Sequence, residues 1–350
     1  MADYISKFEK THRMQKRIRK LFGRYELQKI LIVPYRSYGK SFHIYIKGRV
    51  LDNEPLEIAA KQSFFRTLKN AFLQFNTHEI ADCEIIANIG GVELKTKTDG
   101  KGYFLIDGIL PADISMLADN EGWVSYELYA ANEAFSSVLY EGEFLIPEKE
   151  ADYGIISDID DTILNTGVTS FLKWKVLLNS FFVNAFERIP LEGAPDLYRK
   201  LHRGINDAEK NPIFYISNSP WNMYQYLKHF LDHNGFPKGP ILLRSFSSIF
   251  QRAAGDEKPH KQKEILQLLE AFPDLKFILI GDSGEHDASI YTDIAAQFPD
   301  RILCIYLRSV KHKRRMQHVR SIVDNFRATP VLLVEKSEDA ESHAKQNGYI

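Results

Sequence analysis

From Tyr153 onward, short wholly apolar runs alternate with stretches of helical periodicity. The runs are Gly154-Ile155-Ile156, Ile213-Phe214-Tyr215-Ile216, Phe277-Ile278-Leu279-Ile280 and Ile302–Tyr306. A strand that is apolar on both faces must be covered on both faces. A strand–helix repeat of this kind builds a parallel sheet flanked by helices. The expected fold over residues 151–350 is therefore an α/β doubly wound parallel sheet. Ligands of such sheets bind beyond the carboxyl ends of the strands, so the chemistry should follow directly after the apolar runs.

It does. Ser157-Asp158-Ile159-Asp160-Asp161-Thr162 follows the first run, Ser217-Asn218-Ser219-Pro220-Trp221 the second, and Gly281-Asp282-Ser283-Gly284-Glu285-His286-Asp287 the third. Two carboxylates two residues apart at a strand end, Asp158 and Asp160, can divide nucleophilic attack and proton transfer between them. A hydroxyl among backbone N–H groups, as at Ser217, can hold phosphate oxygens. Carboxylates beside glycines, as at Asp282, suit a hard cation in a tight backbone turn. Ahead of the third run lies Lys258-Pro259-His260-Lys261-Gln262-Lys263 at a helix start. A calcium-loop reading of the Asp158 segment fails: its sixth position would be Ile163 where glycine is needed, and its twelfth Thr169 where glutamate is needed. Each motif alone is weak, and their order is what carries weight.

The first part of the chain reads differently. Residues 29–150 hold short strand-like runs, including Ile30–Val33, Phe42–Ile46, Cys83–Ala87 and the alternating Trp123–Tyr129, with a hairpin expected over Thr96–Phe104 around Asp99-Gly100 and one helix near Gln62–Phe75. This predicts a small β-rich, sandwich-like domain. It shows no catalytic constellation, and His43 and His78 are isolated. Residues 1–28 contain one expected helix, 4–24, with Ile5, Phe8, Met14, Ile18, Leu21 and Phe22 at helical spacing and basic residues between them.

Charge is unevenly spread. The chain carries −1 overall, yet Met1–Lys40 has eleven basic residues against three acidic ones, +8. A second basic run comprises Arg308, Lys311, Lys313, Arg314, Arg315 and Arg320. Such ends fit an anionic membrane surface or stand as solvated helix faces. Nucleic acid is not an expected partner, because no reading module is recognisable and the whole chain is near neutral. Cys83 and Cys304 fit no metal spacing and no disulfide framework; Cys304, inside an apolar run, is expected as a buried free thiol. No stretch approaches the ~18 apolar residues of a membrane span. A cytoplasmic protein, at most peripheral to a membrane, is expected.

The ordered set of Asp pair, Ser, Lys and Gly-Asp resembles the haloacid dehalogenase superfamily of phosphotransferases. Ser157–Leu164, Tyr215–Asn222, Gly239–Arg244, Ile280–Gly284 and Asp287 resemble, more narrowly, the actin-patch-associated phosphatidate phosphatases, which are distantly similar to the lipin catalytic domain. The resemblance covers about residues 150–345. It implies a haloacid-dehalogenase-like fold and a Mg²⁺-dependent hydrolysis in which Asp158 attacks phosphorus and Asp160 is the general acid and base. It further implies that Ser217 and a lysine bind the phosphoryl oxygens. Asp158, Asp282 and the Asp160 backbone carbonyl would hold Mg²⁺. Asp287 would orient the lysine or join the metal site, and Thr162, Asn218 and Ser219 would line the substrate. Family spacing favours Lys261, with Lys258 and Lys263 as alternatives.

Residues 163–211 form an insertion between the first two motifs, rich in apolar residues from Phe171 to Phe186. That run is either ordinary core or a surface for acyl chains. By resemblance the leading substrate is phosphatidate, hydrolysed to diacylglycerol and phosphate. A soluble phosphorylated metabolite, or a non-enzymatic phosphatidate-binding module, is the alternative. The presence of both Asp158 and Asp160 argues against the binding module.

Overall fold

The computed structural model describes residues 30–52, 78–131, 138–160, 162–163, 192–244, 259–283, 286–309 and 313–350. The basic helix expected over 4–24, the helix near 62–75 and the apolar run 171–186 lie outside the described residues.

The described strands form two sheets. The first takes β1 (Ile30–Pro34), β2 (Ser37–Lys40), β3 (His43–Asp52), β4 (His78–Glu79), β5 (Glu84–Ile89), β6 (Val92–Lys97), β7 (Tyr103–Ile109), β8 (Trp123–Ala130) and β9 (Tyr140–Leu145). Their order is β1-β3-β2-β9-β8-β5-β6, with β7 and the short β4 also pairing β3. β8 shows why such a segment becomes a strand: Val124, Tyr126 and Leu128 face the core while Ser125 and Glu127 face water. A sandwich would have two sheets, whereas these strands are hydrogen-bonded as one. The join is the parallel pairing of Ser37 and Tyr38 with Phe144 and Leu145. The sheet curls around Ile44, Ile46, Val50, Ile85, Val124, Leu128 and Phe144. The expected hairpin at Asp99-Gly100 is a turn without a ladder, because β6 pairs β5 and β7 pairs β3. Asp99 Oδ1 accepts the Lys101 and Tyr103 amides (2.8 and 2.9 Å), and the left-handed residue is Gly102.

The second sheet contains β10 (Gly154–Asp158), β11 (Ile213–Pro220), β12 (Ile241–Arg244), β13 (Phe277–Asp282), β14 (Ile302–Arg308) and β15 (Val331–Val334). All its pairings are parallel, in the order β12-β11-β10-β13-β14-β15. This is the doubly wound order, reversing between β10 and β13, where a ligand crevice is expected. The flanking helices are α1 (Ala194–Arg203), α2 (Tyr224–His233), α3 (His260–Ala271), α4 (Asp287–Gln297), α5 (Lys313–Asn325) and α6 (Ser337–Gln346). One face packs α1, α2 and α6 and the other α3, α4 and α5, giving two cores. In α1 the buried residues Ala194, Leu197, Tyr198 and Leu201 recur at helical spacing. Cys304 is a fully buried free thiol, its pKa pushed up to about 12 by desolvation.

The sheets meet through specific contacts. The buried Arg36 guanidinium forks onto Asp232 (2.8 and 3.1 Å) and bonds Glu143 at 2.7 Å. Tyr38 packs against Phe214 and Phe272, with ring centroids 6.0 and 5.7 Å away. Lys47 stands 3.7 Å from Glu264 of α3.

Candidate active site

β10 is buried along its whole length and delivers Asp158, with no exposed surface, to the carboxyl end of the sheet. The adjacent β13 delivers Asp282, also fully buried. α4 begins five residues later at Asp287, whose carboxylate suits a helix N-terminus. Carboxylate oxygens of Asp158, Asp282 and Asp287 all lie within 4.8 Å of one another.

Lys261 enters this cluster from the first turn of α3. Its Nζ is 2.8 Å from Asp158 Oδ1 and 2.7 Å from Asp287 Oδ1, and the residue is 1% exposed. Of the three candidate lysines, Lys263 is exposed on the far side of α3 and Lys258 lies outside the described residues. Helical phase explains the choice, since Lys261 shares its face with the buried Ile265 and Leu268.

Asp160 turns away from the carboxylate cluster toward the end of β11. Ser217 Oγ donates to Asp160 Oδ2 at 2.5 Å, and Ser219 Oγ approaches the same oxygen at 3.3 Å. The Ser219 amide in turn donates to Ser217 Oγ at 2.8 Å. The Asp160 side chain is not among the clustered carboxylates; the part expected of Asp160 at a metal is that of its backbone carbonyl. Asn218 is the more exposed residue between the two serines. Thr162 Oγ1 donates to Asp158 Oδ2 at 3.2 Å, which ties the loop after β10 back to its last residue. Below Asp158, the Ser157 and Tyr198 hydroxyls share a 2.6 Å hydrogen bond.

Burial pushes the Asp158 pKa well up. The Lys261 ammonium opposes that shift, and the Asp287, Asp160 and Asp282 charges reinforce it. The carboxyls of Asp158, Asp282 and Asp287 converge on a point where a divalent cation would offset their charge. The donors are all oxygen, the set that Mg²⁺ prefers, so the residues present fit the ion. Gly281 has a visible reason to be glycine: a Cβ there would come 2.6 Å from Asp287 Oδ2.

Two partners of the segment after β11, Tyr35 and Arg49, carried no sequence signal. Trp221 stacks on Tyr35 at 4.0 Å, and Asn222 Oδ1 accepts from Arg49 Nη1 at 3.1 Å. These partners are more than 170 residues apart, and no local pattern announces them. No described helix is long and apolar enough to cross a membrane.

Comparison with known proteins bears on residues 153–309, which match the family model described as phosphatidate phosphatase APP1, catalytic domain. Phosphatidate phosphatase APP1 of Saccharomyces cerevisiae is 41% identical over 156 residues, 44% of this chain and 25% of that protein. An uncharacterized protein of Schizosaccharomyces pombe is 30% identical over 220 residues, 62% of this chain and 35% of that one. The chain thus spans between a quarter and about a third of these relatives. Among solved structures, a carbohydrate acetylesterase from Xanthomonas citri aligns over 91% of this chain and 76% of its own, at 10% identity and a TM-score of 0.30, too low for a shared fold to follow.

Proposed function

We propose, on the premise that residues 153–309 belong to the phosphatidate phosphatase APP1 catalytic-domain family, that this chain hydrolyses phosphatidate to diacylglycerol and phosphate on a haloacid-dehalogenase-like sheet. One observation carries the chemistry. The buried Asp158 carboxylate stands at the switch point of the sheet, with Lys261 on one side and the hydrogen-bonded pair Asp160 and Ser217 nearby.

In the proposed reaction an Asp158 oxygen bonds to phosphorus as the bond from phosphorus to the glycerol oxygen breaks, and Asp160 gives its proton to that departing oxygen. A water oxygen then bonds to phosphorus while Asp160 takes the water's proton. The bond to Asp158 breaks, releasing phosphate and restoring the carboxylate. Lys261 and Ser217 hold phosphoryl oxygens, and Thr162, Asn218 and Ser219 shape the rim. Lys261 also favours the ionised form of Asp158 against its burial, as a nucleophile requires. A Mg²⁺ held by Asp158, Asp282, Asp287 and the Asp160 backbone carbonyl would supply charge neutralisation for the phosphoryl group. The role of Asp160 is supported by Ser217 and Ser219, which fix its carboxyl orientation.

A lipid substrate brings a membrane surface with it. Basic residues within 1–28 and along 308–320 are the proposed attachment for a peripheral cytoplasmic enzyme, each contributing about 1 kcal/mol near an anionic surface. The division into a basic arm (1–28), a β-rich part (29–150) and a catalytic part (151–350) with its insertion (163–211) belongs to the same proposal.

The test is phosphate release from phosphatidate in mixed micelles, with and without Mg²⁺, for the wild type and Asp158→Asn. Mg²⁺-dependent release that the variant loses supports reaction and substrate together. Release only from a soluble aryl phosphate rejects the lipid and keeps the phosphatase, and undiminished release by Asp158→Asn rejects the mechanism.

A further inference from the structure

The end of β11 is irregular where its chemistry lies. Its pairing with β12 shifts register between Ser217 and Pro220, so the regular ladder does not hold Asn218 and Ser219. Where the ladder is irregular, the contacts of the residues that follow help set where the hydroxyls stand against Asp160. The next two residues, Trp221 and Asn222, are both buried, and both are seated on the first sheet. Trp221 stacks nearly parallel to Tyr35, with ring planes 14° apart. Asn222 Oδ1 takes a hydrogen bond from the buried guanidinium of Arg49.

Arg49 is itself held from three further sides. Its Nε donates to the Lys101 carbonyl and its Nη2 to Glu79, both at 3.1 Å, and its guanidinium lies 4.7 Å from the Tyr103 ring centroid. A planar guanidinium fixed in this way is a rigid fork and defines where Asn222 must sit. Glu79, Lys101 and Tyr103 all belong to the first sheet or its turns. The orientation of the Ser217–Ser219 segment is therefore referred to that sheet as well as to its own.

We propose that the β-rich sheet is a working part of the site: Arg49, through Asn222, and Tyr35, through Trp221, position the Ser217–Ser219 hydroxyls against Asp160. They are positioning residues, since neither touches the reacting groups. The proposal rests on the phosphatase reading for its kinetic consequence, while its structural half stands apart from that reading.

The experiment uses the full chain with Arg49→Lys, which keeps the charge and loses the planar fork, and Glu127→Gln, on the exposed face of the same sheet, as a control. In Arg49→Lys, amide hydrogen exchange is expected to quicken at least tenfold over Ser217–Asn222 and stay unchanged over β10 and β13. kcat is expected to fall roughly tenfold to a hundredfold with KM within about twofold, the pattern of misplaced groups. Glu127→Gln should match the wild type in both readouts. Exchange that rises uniformly across the chain, or does not rise at 217–222, overturns the proposal whether or not any turnover is measured. Local exchange that rises while kcat is unchanged overturns its catalytic half. Asp158→Asn in the same assay separates the two ideas: if that variant still turns over, the phosphatase mechanism has failed and the exchange result alone decides the positioning.

Discussion

Lys261 occupies the first turn of α3, where a helix dipole repels an ammonium, yet its Nζ stands 2.8 Å from Asp158 Oδ1. The carboxylates around it turn this unfavourable placement into a favourable one. Each is expensive to bury alone, and together they need a cation at that point.

Lys261→Met should remove the buried ammonium that Asp158 and Asp287 share. Breaking a buried pair in this way costs about 3–5 kcal/mol. In urea, the metal-free variant should lose stability of that order. Millimolar Mg²⁺ should restore more stability to it than to the wild type, whereas NaCl of equal ionic strength should not. Equal Mg²⁺ responses in Lys261→Met and in Lys261→Met/Asp282→Asn would refute a cation site at these carboxylates.

Gly281→Ala places a methyl group 2.6 Å from Asp287 Oδ2 and 2.7 Å from the Tyr291 ring. Asp287 must move, and Lys261 with it. Turnover should drop roughly tenfold or more while the circular dichroism spectrum holds. A variant with normal kcat would show that the glycine serves something other than Asp287.

Buried beside Lys261, His260 has its pKa pushed down to about 4, chiefly by desolvation, with Glu264 pulling the other way and Lys47 and Arg244 adding to the depression. Its folded value lies below the unfolded one, so the unfolded chain binds the extra proton. Stability from this residue is complete above about pH 6.5 and is lost as pH falls toward 4, by about 3 kcal/mol. His260→Gln should flatten the stability–pH curve of the metal-free protein over that window by this amount. Parallel curves for the two proteins would exclude His260 as its source.

Much of the parallel sheet was legible because burial on both faces writes strands as apolar runs. β10, β11, β13 and β14 are announced in this way. The edge strand β15 was not, because its four residues are mostly half-buried and too short to stand out. Asp158 and Asp282 could be named since each lies at the end of a strand, where local pattern and ligand position coincide, whereas Lys261 was singled out from Lys258 and Lys263 by family spacing. The Asp160–Ser217 bond spans 57 residues and Arg49–Asn222 spans 173. Nothing local encodes either. The single curled sheet was missed for the same reason: its closing pair, Ser37 with Phe144, is set by tertiary packing.

The strand order has a consequence in time. β10, the central strand, is made first, and its neighbour β13 begins at Phe277, well over a hundred residues later. At about 5–20 residues per second, a ribosome leaves one edge of β10 without its partner for on the order of ten seconds. That edge belongs to a strand buried along its whole length, the kind that recruits foreign strands when left exposed. For this chain the hazardous moment is therefore its birth, when one edge of a fully buried strand waits in the open for a partner not yet translated.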